Sequence, residues 1–138
     1  MEPEFPFEFI VLGTPVSSQR DNPRARQEWK DLVRESSAAK LPDMHFATDQ
    51  RLAITLYYYP EERMVGDVDN IIKLTLDAMC RHIYRDDDQV ERVVVQKFER
   101  HRVFVFTNPS ETLAACMLGP KPALYVRLSN DPHEELRG

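Results

Sequence analysis

The spacing of apolar and polar positions changes several times along the chain, and each change marks an element. Phe5 to Leu12 reads Phe-Pro-Phe-Glu-Phe-Ile-Val-Leu, rich in aromatic and branched residues, and predicts a strand that stops at Gly13. A polar stretch from Thr14 to Asn22 follows, and Asn22-Pro23 has the form of a helix N-cap with proline in the first turn. Trp29, Leu32 and Val33 fall on one helical face, and Pro42 bounds that helix near residue 40. Arg51 to Tyr59 predicts a second strand ending at Pro60. From Asp69 to Ile83 the apolar positions Ile72, Leu76, Met79 and Ile83 recur with helical period, which predicts a second helix with one core stripe. Beyond the acidic turn Asp86–Asp88, Val90–Glu99 and Arg102–Phe106 read as two strands joined by a tight turn. Asn108-Pro109-Ser110-Glu111 resembles a capping box that opens a short helix through Met117, and Ala123–Leu128 makes a last strand. The expected order is β-α-β-α-β-β-α-β, an α/β (α+β) fold with a single mixed sheet and helices packed on it.

One domain accommodates all of this. The chain has 138 residues, 42% apolar and 30% charged, an ordinary globular balance, with the polar segment from Asn130 to Gly138 expected to be a loose tail. Ten prolines against four glycines imply stiff loops rather than flexible linkers. No apolar run approaches the roughly 18 residues of a membrane span, and no charged segment followed by an apolar core opens the chain. Cys80 and Cys116 are the only cysteines; they admit one disulfide, but two buried thiols in a cytoplasmic protein are expected. A net charge of −5 argues against a protein that coats nucleic acid.

The acidic residues are concentrated. Gly66-Asp67-Val68-Asp69-Asn70-Ile71-Ile72-Lys73 is followed by Asp77 and then by Asp86-Asp87-Asp88-Gln89. Asp67 and Asp69 bracket a helix start, where one carboxylate commonly caps backbone N–H groups and another favours the helix dipole. The later triplet alone is an ordinary solvated turn. Brought to the same end of the sheet, the carboxylates repel by about 1 kcal/mol per close pair in a solvated setting. A hard divalent cation relieves that repulsion, and oxygen ligands select Mg²⁺ or Mn²⁺. Asp69, Lys73 and Asp77 share a helix face, so Lys73 either bridges two aspartates or presents its ammonium to a phosphate. An EF-hand loop from Asp67 fails, because its fifth, sixth and twelfth positions hold Ile71, Ile72 and Ala78. A nucleotide-sugar transferase would need a nucleotide-binding domain for which the chain has little room. Cys80, His82 and Cys116 lack the paired spacing of a zinc site.

Asp67-x-Asp69-Asn70-x-x-Lys73-x-x-x-Asp77-Ala78 with Asp86-Asp87-x-Gln89 resembles the signature of the RusA family of crossover-junction endodeoxyribonucleases. Val11-Leu12-Gly13-Thr14-Pro15-Val16-Ser17 with Gln19-Arg20 is similar to that family's first strand and following loop. The family commonly carries a lysine or further basic residues in this loop, where Ser17-Ser18-Gln19-Arg20-Asp21 stands here. The resemblance implies a Mg²⁺-dependent homodimer that resolves four-way DNA junctions, with Mn²⁺ as a substitute and no nucleotide cofactor. It assigns metal binding to Asp67, Asp69 and Asp87 and an essential role to Lys73, with Asp86 and Asp88 as near substitutes for Asp87.

Basic residues flank the acidic block. Between Ser17 and Lys40, six basic residues, including Arg20, Arg24 and Arg26, face four acidic ones; between Arg92 and Arg102, four, including Lys97, face Glu99 alone. Arg20, Arg24, Arg26 and Lys97 are the candidate DNA contacts, against the ordinary reading of a solvated helix face and a charge-protected edge strand. Of Tyr57, Tyr58 and Tyr59, at least one must face a core, so none is assigned to bases. The leading expectation is an endonuclease acting on branched DNA. The alternatives are a branched-DNA-binding module that does not cleave, and the same chemistry on forks or flaps.

Overall fold

The computed structural model describes residues 1–64, 66–100 and 104–136. Four strands, β1 (Phe7–Leu12), β2 (Leu52–Tyr59), β3 (Val90–Lys97) and β4 (Ala123–Ser129), form one sheet in the order β1-β4-β2-β3. β4 runs antiparallel to both β1 and β2, whereas β3 is parallel to β2. Three helices pack on this mixed sheet: α1 (Pro23–Ala38), α2 (Ile72–Met79) and α3 (Glu111–Leu118). The fold class expected from the sequence is the one observed.

α1 begins as expected, with Asn22 accepting a hydrogen bond from Ala25 N at 3.0 Å and Pro23 in the first turn. Its Trp29 and Val33 are buried against one sheet face, together with Phe9, Val11, Ile54, Leu56, Leu124 and Val126. α2 packs beside α1 and is tied to it twice: Trp29 Nε1 donates to Thr75 Oγ1 at 3.1 Å, and Arg34 Nε donates to the Ala78 carbonyl at 3.0 Å. The opposite face carries α3 and an aromatic cluster of Tyr57, Tyr59, Phe98, Phe104, Phe106 and Tyr125. Tyr58 alone of the tyrosine triplet faces the first core.

Four expectations are corrected. The second helix is shorter, a 3-10 turn over Val68–Ile71 leading into α2, which ends at Met79. Cys80 leaves the helix with ψ 133 and Arg81 has φ 64, so the helical backbone stops there, and the Tyr84 hydroxyl joins Cys80 N in donating to the Leu76 carbonyl, at 2.8 Å. Its buried face is Leu74, Thr75, Ala78 and Met79, which leaves Ile72 and Leu76 only partly covered. Phe104–Phe106 form no strand; Phe104 and Phe106 turn inward onto Phe98 at ring distances of 4.5 and 5.4 Å, with Val105 outward. The start of that expected strand, including Arg102, lies outside the described residues. α3 is capped by Ser110, whose Oγ accepts from Leu113 N at 3.1 Å, so Pro109 precedes the helix instead of opening it. Beyond β4 the chain is anchored through the 3-10 turn Glu134–Leu136, where Arg127 and Glu134 pair at 2.7 Å.

Both cysteines are free thiols, Cys116 buried and Cys80 half-buried. No helix among the described residues is long and apolar enough to cross a membrane.

Candidate active site

The acidic residues converge along α2. Asp69, Lys73, Asp77 and Asp87 line one open depression of about 300 Å³, with Ile72 and Leu76 as its apolar wall. The expectation that the carboxylates return to one end of the sheet is therefore corrected. The Asp67–Asp69 segment follows β2, whereas the Asp86–Asp88 turn is fastened to the chain just before β2. The short α2 spans between them and carries Lys73 and Asp77 on the intervening face.

Gln89 does the fastening. It is buried, its Oε1 accepts from Arg85 N and Asp86 N at 2.8 Å each, and its Nε2 donates to the Thr48 and Gln50 carbonyls at 2.9 Å each. Asp86 caps the 3-10 turn Asp87–Gln89, with its Oδ1 accepting from Asp87 N at 3.0 Å. The Asp88 carbonyl holds Arg51 at 2.6 Å. Of the triplet, Asp87 is the residue that lines the depression.

Three neighbours register the Asp87 charge. The Lys73 ammonium is held protonated above its ordinary range, first by its hydrogen bond to Asp77 at 2.9 Å, then by the Asp77 charge, with Asp87 adding to it. Burial raises the Cys80 thiol, and the Asp87 carboxylate beside it raises it further. Burial likewise raises the Tyr84 phenol, with Asp87 again among the contributing charges.

Asp67 is exposed and sits at the N-cap position of the Val68–Ile71 turn, where its carboxylate makes no cap hydrogen bond; capping does not account for it. Gly66 before it has φ +93, a conformation glycine adopts at little cost. Asp67 does not line the α2 depression. Among the described residues, no three of histidine, cysteine, aspartate and glutamate gather closely enough to enclose an ion. The donors fit Mg²⁺ nonetheless: it needs only one or two carboxylates and completes its shell with water and phosphate oxygens, and the depression offers carboxylates with an open side.

A family model described as Endodeoxyribonuclease RusA matches residues 14–106, which include every acidic residue of this site and Lys73. The chain belongs to the RusA endodeoxyribonuclease family. Members of the RusA family are nucleases acting on branched DNA, Holliday junctions among them. None of the curated proteins compared matches the chain.

The four candidate DNA contacts of this RusA chain are placed unequally. Arg20 lies in the loop after β1 and lines a second concavity together with Asn70. That loop is hooked to the acidic segment by Ser17 Oγ, which donates to Asn70 Oδ1 at 3.2 Å. Arg26 donates to the Arg20 carbonyl, so it shapes the loop. Arg24 is exposed on α1 and pairs with Glu28 at 2.9 Å. Lys97 pairs with Glu99 at 3.3 Å, and Glu99 in turn accepts from Met64 N at 3.3 Å, which ties that pair to the loop before Asp67. Asp77, whose spacing makes it a partner of Lys73, also lines the depression, a place signalled by the four-residue steps from Asp69.

Proposed function

We propose that this chain is a Mg²⁺-dependent Holliday junction resolvase that cuts four-way DNA by paired symmetric nicks as a homodimer. The observation that carries the reading is the placement of Asp69, Lys73, Asp77 and Asp87 around one open depression, in a chain of the RusA family. Asp69 and Asp87 would hold the cation, with Asp67 adjoining; Mn²⁺ is an acceptable substitute because the donors are all oxygens. When bound, the cation supplies neutralisation of the scissile phosphate and activation of the attacking water. Lys73 stays charged at neutral pH and is largely exposed, so its ammonium is available to a phosphate oxygen on which charge builds. Asp77 holds that ammonium in place until the phosphate arrives. Arg20 and Arg24 contribute phosphate contacts from the loop and the first turn of α1. A two-fold dimer would match the symmetry of the substrate and supply the second site.

The test is cleavage of a mobile four-way junction beside linear duplex, with Mg²⁺, Mn²⁺ and Ca²⁺ compared. Symmetric nicks confined to the junction, with Mg²⁺ or Mn²⁺, are expected. Equal cutting of duplex would remove junction specificity, and no cutting with any cation would leave a binding module.

A further inference from the structure

The concavity that Arg20 shares with Asn70 has a volume of about 520 Å³, within the size range of small-ligand pockets. It adjoins the carboxylate depression through the Val68–Ile71 turn, where consecutive residues serve different sites: Asp69 lines the depression, and Asn70 and Ile71 line the concavity. Val16, Tyr58 and Ile71 make apolar walls stiffened by prolines of the flanking loops. Asn70 Oδ1 accepts from Ser17, and its amide N–H groups have no hydrogen-bond partner among the described residues. Among the lining residues Arg20 and Arg63 are balanced by Glu61 and Glu62, so the concavity carries no net charge. Apolar walls, the open amide of Asn70 and balanced charge suit an uncharged aromatic ring with a hydrogen-bonding edge. A four-way junction supplies such rings at lower cost than linear duplex, since in its open form each pair at the exchange point has lost a stacking neighbour.

We propose that this concavity receives one unstacked nucleobase beside the scissile phosphate, and that the base it accepts decides where the chain cuts. The inference rests on the nuclease reading above, and its test separates the two. Four-way junctions carrying 2-aminopurine at successive positions around the exchange point are bound with Ca²⁺ in place of Mg²⁺. Fluorescence is expected to change several-fold at one position. Val16→Trp, which fills the concavity, should abolish that change, and so should Thr14→Trp at its exposed mouth, chosen in case the first variant does not fold. With Mg²⁺, cutting rates across the four bases at that position should span about tenfold or more, compressed to about twofold in the filled variants. A fluorescence change without cleavage under any cation would sustain the base concavity but overturn the nuclease reading, and with it the part of the proposal that gives the base a role in cutting. Cleavage at equal rates for every base, with no fluorescence change, would overturn the base site and leave the nuclease reading standing. Discrimination that survives filling would overturn the base site as well, and failure to bind junctions would overturn both.

Discussion

Asp87 stands between two aspartates whose atoms are already engaged, and that difference makes the triplet separable by mutation. Asp86→Ala removes the cap of the Asp87–Gln89 turn and should cost about 1 kcal/mol of stability, while the carboxylate facing the depression remains. Asp88→Asn leaves intact the carbonyl that holds Arg51 and should be close to neutral for both folding and cleavage. Asp87→Asn should abolish cleavage while sparing or tightening DNA binding, because one repelling charge disappears from the depression. Thermal melting reads the first two, single-turnover cleavage beside metal-free junction binding reads the third, and an Asp87→Asn protein that cuts normally under saturating Mg²⁺ would remove it from the metal site. Lys73 is decided in the same way. As a surface ion pair with Asp77 it contributes a few tenths of a kcal/mol, and Lys73→Met would then cost little activity. As the group that meets charge at the phosphate, its loss should slow cleavage about a hundredfold, roughly 3 kcal/mol, at nearly unchanged melting temperature. A Lys73→Met protein cutting at the parental rate would demote it to the ion pair.

At the scale of elements, the site depends on a helix of eight residues and on the glutamine that fastens the turn beyond it. Gln89→Leu leaves the Thr48 and Gln50 carbonyls and the Arg85 and Asp86 amides without their partner and should destabilise the fold by roughly 2–4 kcal/mol. Gln89→Glu keeps the acceptor for the two amides but sets a carboxylate against two carbonyls, so it should also be destabilised, and increasingly so as pH rises through the carboxylate range. Thermal melting across pH reads both effects. Most of this architecture was legible in the chain. The strand cores at Phe7–Leu12, Leu52–Tyr59, Val90–Lys97 and Ala123–Ser129 follow their local pattern, and so do the Asn22 cap and the faces of α1. The length of α2 was not, because the apolar period runs on to Ile83 while the backbone leaves the helix at Cys80 and Arg81. Phe104 and Phe106 alternate as a strand would, yet they alternate around an aromatic cluster that only the folded sheet assembles. Asp86-x-x-Gln89 has the spacing of a capping box, a local signal for the amides that Gln89 accepts from, but the Thr48 and Gln50 carbonyls it also holds lie about forty residues earlier and leave none.

For the whole molecule, the question is how a chain of net charge −5 holds a polyanion. Part of its positive charge is engaged within the protein, as Arg24 with Glu28, Arg51 with Glu91, Lys97 with Glu99 and Arg127 with Glu134. In the site proposed above, the α2 depression points carboxylates at the place the scissile phosphate would occupy. Metal-free binding should therefore be weak, and each phosphate contact that does form should steepen the logarithmic fall of affinity with salt by about 0.9. Ca²⁺ should strengthen binding about tenfold or more by cancelling the carboxylate repulsion, since each 1.4 kcal/mol is tenfold. Asp87→Asn should recover part of that gain with no metal present, and Arg20→Ala should flatten the salt dependence without changing the response to Ca²⁺. Junction binding followed by fluorescence anisotropy, titrated in salt with and without Ca²⁺, measures each term. An affinity indifferent to both salt and divalent cations would mean that the DNA is held away from this depression, and the assignment of Asp69, Asp87 and Lys73 to the phosphodiester would fall with it.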